Sequence, residues 1–332
     1  MRMPRIVAEG WSYYHCVNRV IERRFLLNDD EKERFRLLLR RVEIFTGVKV
    51  LTYAILDNHT HLVLQVPEGE PVSERETLRR MGALYDGAFV AGYAERVQAA
   101  REHGHDDEAE RLLDAYRYRM HSLSQFMKTL LQRYTQSYNR RNRRRGTLWE
   151  DRFKSILIEG RGDALSMMAG YVDLNAVRAG IVDDPKDYRF CGYGEAAAGS
   201  VAARAGLQTI LARLGQERGS GWGGEVYRKF LFMQGATHPK GGTGTAEFSS
   251  HAQRVINEGG KLSLPDLLQC RVRYLSDGVV FGSRRFVEDA YVTYRDRFGT
   301  KRRSGPRLMR SANLPTLFTM RDLRKAPITL PA

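Results

Sequence analysis

Residues 48–66 read VKVLTYAILDNHTHLVLQV, and this stretch decides the fold. Two apolar, β-branched runs, 48–56 and 59–66, flank Asp57-Asn58, a pair suited to a two-residue hairpin turn. Upstream, residues 12–20 (SYYHCVNRV) read as another strand, rich in aromatic and β-branched side chains. Between them Phe35, Leu38, Leu39, Val42 and Phe45 recur at helical spacing. Asp29 or Asp30 can cap that helix and Gly47 can end it. Strand, helix, strand, strand is the opening of a ferredoxin-like antiparallel sheet, so the expected class is α+β.

Downstream, residues 68–119 mix Glu and Arg with Ala and Leu and predict an insertion of one or two surface helices. Leu123, Phe126, Met127, Leu130, Leu131, Tyr134 and Tyr138 then trace the apolar face of a long helix. Residues 148–159 predict a strand, and Asp163 caps a helix through about Val177, with Gly180 just beyond. The first domain is therefore expected to span 1–195. Frequent glycines predict a flexible linker over 196–250, with short helices such as one around 201–214. A small helical module is expected over 251–299, with helices at 263–276 and 283–298. Their Gly-bounded connection fits a helix-turn-helix or a plain helical hairpin. Residues 300–332, with four prolines, read as an extended basic tail.

Lys and Arg exceed Asp and Glu by 54 to 39, a net of +15 over 332 residues. Residues 128–154 carry nine basic and two acidic side chains, and 300–332 carry eight and one. Two basic blocks on a near-neutral body point to a polyanionic partner with defined contacts. The three cysteines are far apart, which excludes a disulfide framework and a zinc ribbon and fits a reducing cytoplasm. No stretch predicts a signal peptide or a membrane span, so a soluble, cytoplasmic protein is expected.

His59 and His61 are two apart in a strand, so both side chains share one face. They are two thirds of a metal site, or two ordinary strand histidines, and spacing alone leaves both open. Tyr171 lies at the edge of the apolar stripe Leu165, Met168, Val172 and Ala176, with Asn175 one turn on. A tyrosine hydroxyl and a neutral oxygen ligand could complete a two-histidine site. A boundary tyrosine that only packs is the competing reading.

Three segments together resemble one family. Asn58-His59-Thr60-His61-Leu62 is similar to the His-hydrophobic-His motif of HUH single-strand nucleases. Tyr171-Val-Asp-Leu-Asn175-Ala-Val-Arg178-Ala-Gly180 resembles the Tyr-x-x-x-Asn-Pro-Val-Arg-x-Gly motif of REP-associated tyrosine transposases. Gly146-Thr-Leu-Trp149-Glu-Asp-Arg152-Phe153-Lys154 resembles the segment between the two. Order and spacing agree over about residues 10–195. Thr60 replaces the usual bulky residue and Ala176 the usual proline. Thr60 suits a strand, and Ala176 lets the helix run on.

The resemblance implies an HUH-type core and a metal-dependent single-strand DNA endonuclease and strand transferase. It implies Tyr171 as nucleophile through a 5′-phosphotyrosine, ahead of the rival Tyr134 and Tyr138, whose positions favour a core role. A tyrosine hydroxyl with a pKa near ~10 needs a polarised phosphate to react. A divalent ion on His59 and His61, with Asn175 as third ligand, would supply that, and hard Mg²⁺ or Mn²⁺ fits the family. Hairpin or palindromic single-stranded DNA is the implied substrate. For its grip, Arg140, Arg141, Arg143, Arg144, Arg145, Arg152 and Lys154 offer phosphate contacts and Trp149 a stacking surface. His15 reads as a packed strand histidine, and His103, His105, His121, His238 and His251 have no site-like context. The alternatives are a non-catalytic nucleic-acid-binding protein and a phosphodiesterase that uses water. One chain or a homodimer could build the site, and a nucleoid-associated place in the cytoplasm is expected.

Overall fold

The computed structural model describes residues 6–214, 221–232, 271–309, 316–321 and 328–329. Strand β1 (Ser12–Arg19) leads into helix α1 (Asp29–Thr46), then β2 (Lys49–Ile55) and β3 (His59–Val66). The cap of α1 is Asn28, one residue before the expected pair; its Oδ1 accepts from the Glu31 N–H at 3.0 Å. Three acidic residues in the first turn suit the helix dipole, and Gly47 closes the helix at φ 72°. The turn at 56–58 is held by the Leu56 N–H, which donates to the His59 carbonyl at 2.9 Å.

Strand β1 pairs antiparallel with β3 on one side and with β4 (Lys154–Ile158) on the other. The order β2-β3-β1-β4 is the ferredoxin-like arrangement read from the sequence. Register aligns Val17 with His61 and His15 with Val63, so His15, Val17 and His61 share one face. The insertion forms three helices, α2 (Glu74–Met81), α3 (Gly87–Glu102) and α4 (Asp106–Arg117), where one or two were expected. Helix α5 (Leu123–Arg141) buries Leu123, Phe126, Met127, Leu130, Tyr134 and Tyr138, as its stripe predicts, and packs against α1.

The face carrying His15 and His61 is covered by α6 (Ala164–Asp173). One continuous helix to about 177 was expected; the chain instead breaks at Leu174 and resumes as α7 (Asn175–Arg178). The break has a local cause. The Asn175 side-chain amide donates to the carbonyls of Tyr171 and Val172, and Arg178 also donates to the Tyr171 carbonyl. Side chains thus take acceptors that a regular helix would give to backbone N–H groups. Buried Asp173 fastens α6 to the sheet, accepting from Thr52 Oγ1 at 2.7 Å and from Tyr227 Oη at 2.6 Å.

The described part of the expected linker is ordered packing. Helix α8 (Gly192–Ala197), α9 (Val201–Leu211) and α10 (Gly224–Phe232) follow one another, and α9 lies along β2. Gly206 is a contact residue here, since a Cβ on it would sit 2.3 Å from the Val50 carbonyl oxygen. Residues 190–191 also pair with β2, the Ile55 N–H donating to the Phe190 carbonyl at 2.9 Å. The exposed edge of the sheet is thereby closed.

Of the expected helix at 263–276, residues up to 270 lie outside the described set. Strand β5 (Arg271–Val272) is followed by a short helix, Arg273–Asp277. The expected Gly-bounded turn is strand β6 (Val280–Gly282), which runs parallel to β4, so among the described residues no helix-turn-helix forms there. A helix at Arg284–Thr293 capped by Ser283 agrees with the pattern. Tail residues add strands β7 (Arg307–Leu308) and β8 (Phe318–Thr319) beyond β6, while β9 (Ile328–Thr329) pairs with β5. The extension thus enlarges the sheet to seven strands. Among the described residues no helix is long and apolar enough to cross a membrane.

Candidate active site

A cleft of about 300 Å³ opens where the ends of β1 and β3 meet α6 and α7. His59, His61, Tyr171 and Asn175 all line it, so four residues singled out in the sequence converge. Arg19, Arg23 and Arg178 supply its cationic wall, and Ser276 of the extension closes one side.

Rigid elements hold the two imidazoles. Their ring centroids lie 5.1 Å apart, near perpendicular. His59 Nδ1 bonds to Asn58 Oδ1 at 2.6 Å, and His61 Nδ1 pairs with His15 Nε2 at 2.8 Å. Each ring therefore has Nδ1 engaged. Burial holds the His61 pKa well below its ordinary 6.5, and the charges of His15, His59 and Arg178 add to this. Burial likewise lowers His15, to about 4, against the raising effect of its hydrogen bond to the Leu275 carbonyl. Both are neutral imidazoles at neutral pH, the form that ligates a metal.

Tyr171 is buried, with its ring edge-on to His61 at 6.3 Å and to His15 at 6.4 Å between centroids. The Arg178 guanidinium lies 4.2 Å from its ring centroid, a cation–π contact that also places a positive charge beside the phenol. Asn175 spends its amide N–H groups on the Tyr171 and Val172 carbonyls, which leaves Oδ1 as its acceptor atom.

The donor set is thus two imidazole nitrogens and one amide oxygen. Among the described residues no group of three or more His, Cys, Asp or Glu side chains could hold an ion. Two imidazole nitrogens and a neutral amide oxygen fit a divalent ion that would take its remaining ligands from water and substrate phosphate.

The basic block is placed differently from the expectation. None of Arg140, Arg141, Arg143, Arg144, Arg145, Arg152 or Lys154 lines the cleft. Arg141 is tied to Glu31 at 2.6 Å, Lys154 to Asp277 at 3.2 Å, and Arg144 bonds Asn139 at 3.3 Å. Arg140, Arg143, Arg145 and Arg152 are exposed. Trp149, expected to stack on bases, is 8% exposed and packs on Phe35 and Tyr134. The block does adjoin the site through its backbone: the Glu150 N–H donates to the Arg19 carbonyl at 2.9 Å. Tyr134, a rival nucleophile, is in the core and donates to Glu31. Sequence reasoning passed over Arg19, Arg23 and Arg178 in naming site residues. Arg178 stood inside the tyrosine motif, and Arg19 faces His59 in the strand register. His15, which the sequence reads as a packed strand histidine, contacts the site directly.

Residues 11–75 match the model of the family Transposase IS200 like. This matched segment runs from β1 past β3 and contains His15, Arg19, Asn58, His59 and His61. The strands that carry the histidines are thus similar to those of that family over this segment. No curated protein matches the chain. A solved structure of a REP-associated tyrosine transposase bound to a REP hairpin is similar over 60% of this chain and 86% of its own, at 14% identity and a TM-score of 0.40.

Proposed function

We propose that this protein is a tyrosine transposase that cuts and rejoins single-stranded DNA, acting on hairpin or palindromic sequences. The observation that carries the reading is the convergence of His59, His61, Asn175 and Tyr171 in one cleft walled by three arginines. His59, His61 and Asn175 would hold a divalent ion, Mg²⁺ or Mn²⁺. When bound, such an ion supplies Lewis acidity at a phosphoryl oxygen.

The rest of the chemistry falls to the chain's own side chains. Arg19, Arg23 and Arg178 draw the scissile phosphate into the cleft and offset its charge. Arg178, against the Tyr171 ring, holds that ring in the cleft and keeps a positive charge beside the attacking residue. Tyr171 Oη forms a bond to phosphorus as the P–O3′ bond breaks. The phenolic proton passes to solvent and the departing 3′ oxygen takes one up. The phosphotyrosine retains the ester, so an incoming 3′ hydroxyl can reverse the step without ATP. The exposed arginines of the basic block would bind flanking phosphates, and a polyanion partner matches the +15 net charge.

The test is incubation with a labelled single-stranded hairpin and Mn²⁺, followed by denaturing electrophoresis. A protein–DNA adduct is expected from the wild type, and at least ~10³-fold less from Tyr171→Phe, since the nucleophile itself is absent. An adduct formed equally by Tyr171→Phe would remove Tyr171 as nucleophile. Cleavage without any adduct would replace the mechanism with attack by water.

A further inference from the structure

We propose that the C-terminal extension fixes the tautomer and aim of His61 through His15, and thereby sets the ion affinity of the cleft. The inference rests on the metal reading of His59 and His61 and adds a control element to it. His15 Nδ1 lies 2.7 Å from the backbone carbonyl of Leu275, a residue 260 positions away in the short helix Arg273–Asp277. A carbonyl only accepts, so the proton sits on Nδ1 of His15. Neutral His15 then has a bare Nε2, which must accept from Nδ1–H of His61 at 2.8 Å. His61 is left with its lone pair on Nε2, the tautomer that can ligate. Without the Leu275 carbonyl, His15 could carry its proton on Nε2 and donate to His61. That reversal would leave His61 protonated on Nε2 and unable to ligate.

The segment that supplies the carbonyl is held by several independent contacts. Strand β6 follows it directly, and the Leu157 N–H donates to the Val279 carbonyl at 2.9 Å. Asp277 bonds Lys154 of β4 and Arg273, while Arg321 of the tail donates to the Asp277 carbonyl at 2.8 Å. At Gly278 a Cβ would lie 2.6 Å from the Tyr274 carbonyl oxygen, so the turn there admits little else. The stacked His15 and His61 rings, 5.0 Å apart and 13° from parallel, are the mechanical link from this anchor to the cleft. His15 is a positioning residue in this scheme: it touches neither the ion nor the substrate.

The experiment uses the full chain, free of DNA, with Mn²⁺ as the probe. In histidine-labelled protein, ¹⁵N spectra without metal are expected to show His61 protonated on Nδ1 and bare on Nε2. Titration with Mn²⁺ is then compared across variants. His15→Phe removes the acceptor and is expected to weaken Mn²⁺ binding about 10- to 100-fold, the usual effect of losing such a partner. His15→Gln keeps an acceptor and a donor and should recover most of that loss. Gly278→Ala, outside the cleft, should weaken Mn²⁺ binding in the same direction by displacing the turn. Wild-type His61 protonated on Nε2, or a folded His15→Phe that binds Mn²⁺ within about twofold of wild type, overturns the proposal. Should His15→Phe not fold, the spectra and the other two variants decide alone. His61→Ala separates the two levels. If it still binds Mn²⁺ like wild type, the metal reading falls and takes this proposal with it. If it loses Mn²⁺ while His15→Phe does not, only the relay falls.

Discussion

Replacing Trp149 by Ala tests whether the indole belongs to the core or to the DNA-binding surface. The ring is 8% exposed, edge-on to Phe35 at 6.2 Å and tilted against Tyr134 at 6.0 Å between centroids. Its Nε1–H donates to the Leu131 carbonyl at 3.4 Å, a long bond that adds little. Removing about 200 Å² of buried indole at about 25 cal/mol per Å² gives about 5 kcal/mol, and measured Trp→Ala losses run at about 3–5 kcal/mol. Against a total stability of about 5–15 kcal/mol, that loss leaves a marginal protein. Urea unfolding followed by circular dichroism measures it. Trp149→Phe, which keeps most of the packing, is expected to lose less than half as much. At matched folded fraction, affinity for a single-stranded oligonucleotide should stay within about twofold, because a core indole stacks on no base. The reasoning is refuted if Trp149→Ala unfolds like wild type yet loses the ~1–3 kcal/mol of binding typical of a stacked base.

Two further perturbations probe charge. Changing Arg140, Arg143 and Arg145 together to Gln removes three exposed cations, and should lower the slope of log K against log salt by about 2 for single strands, with stability within about 0.5 kcal/mol of wild type. An unchanged slope in fluorescence anisotropy would take these arginines out of the DNA contact. Glu195 accepts from Arg36 at 2.8 Å, Arg40 at 2.5 Å and Tyr53 at 2.9 Å in a buried cluster that joins α1, β2 and α8. Burial pushes its carboxyl up, but Arg40, Tyr53 and Arg36 outweigh this and hold it below the ordinary 4.5. The depressed folded value means the stabilisation is present above pH 4.5 and is lost as pH falls through that value. Glu195→Gln should therefore cost about 3–5 kcal/mol at pH 7, with the gap to wild type narrowing below pH 4.5 in urea titrations. A gap independent of pH would contradict this assignment.

What the sequence made legible is what depends on neighbours in the chain. The alternation in 48–66 set the hairpin and put His59 and His61 on one face. The 3-and-4 spacing of α5 named its buried side chains except Thr129, with only Leu131 left half-exposed. Charge counting found the basic block, but not that Glu31 and Asp277 claim Arg141 and Lys154 from 110 and 123 residues away. Trp149 looked like a surface aromatic because arginines precede it. Its burial comes from α1 and α5, which no local pattern near 149 encodes. Gly206 looked like a break because a glycine carries no sign of the strand pressed against it.

His15 was the least legible residue and the most consequential. Its parity in β1 is plain, but its diagonal approach to His61 requires the β1–β3 register, and its other partner is a backbone carbonyl with no sequence signature. The same logic explains the misreading of 277–282. In a four-stranded sheet of this order β2 and β4 are the edges, and each must be covered. The β2 edge takes residues 190–191 and α9; the β4 edge takes three residues, Val280–Gly282, too few to register as a strand by alternation. Tail strands β8 and β7 then continue outward, with Thr319 opposite Phe281. The tail is therefore part of the sheet as well as a carrier of charge. Removing 300–332 would strip the partner from β6 and the Arg321 contact from Asp277, loosening the segment that carries Leu275. A binding defect in such a truncation would mix lost charge with a disturbed His15, which is why point substitutions at His15 and Gly278 discriminate where a deletion does not.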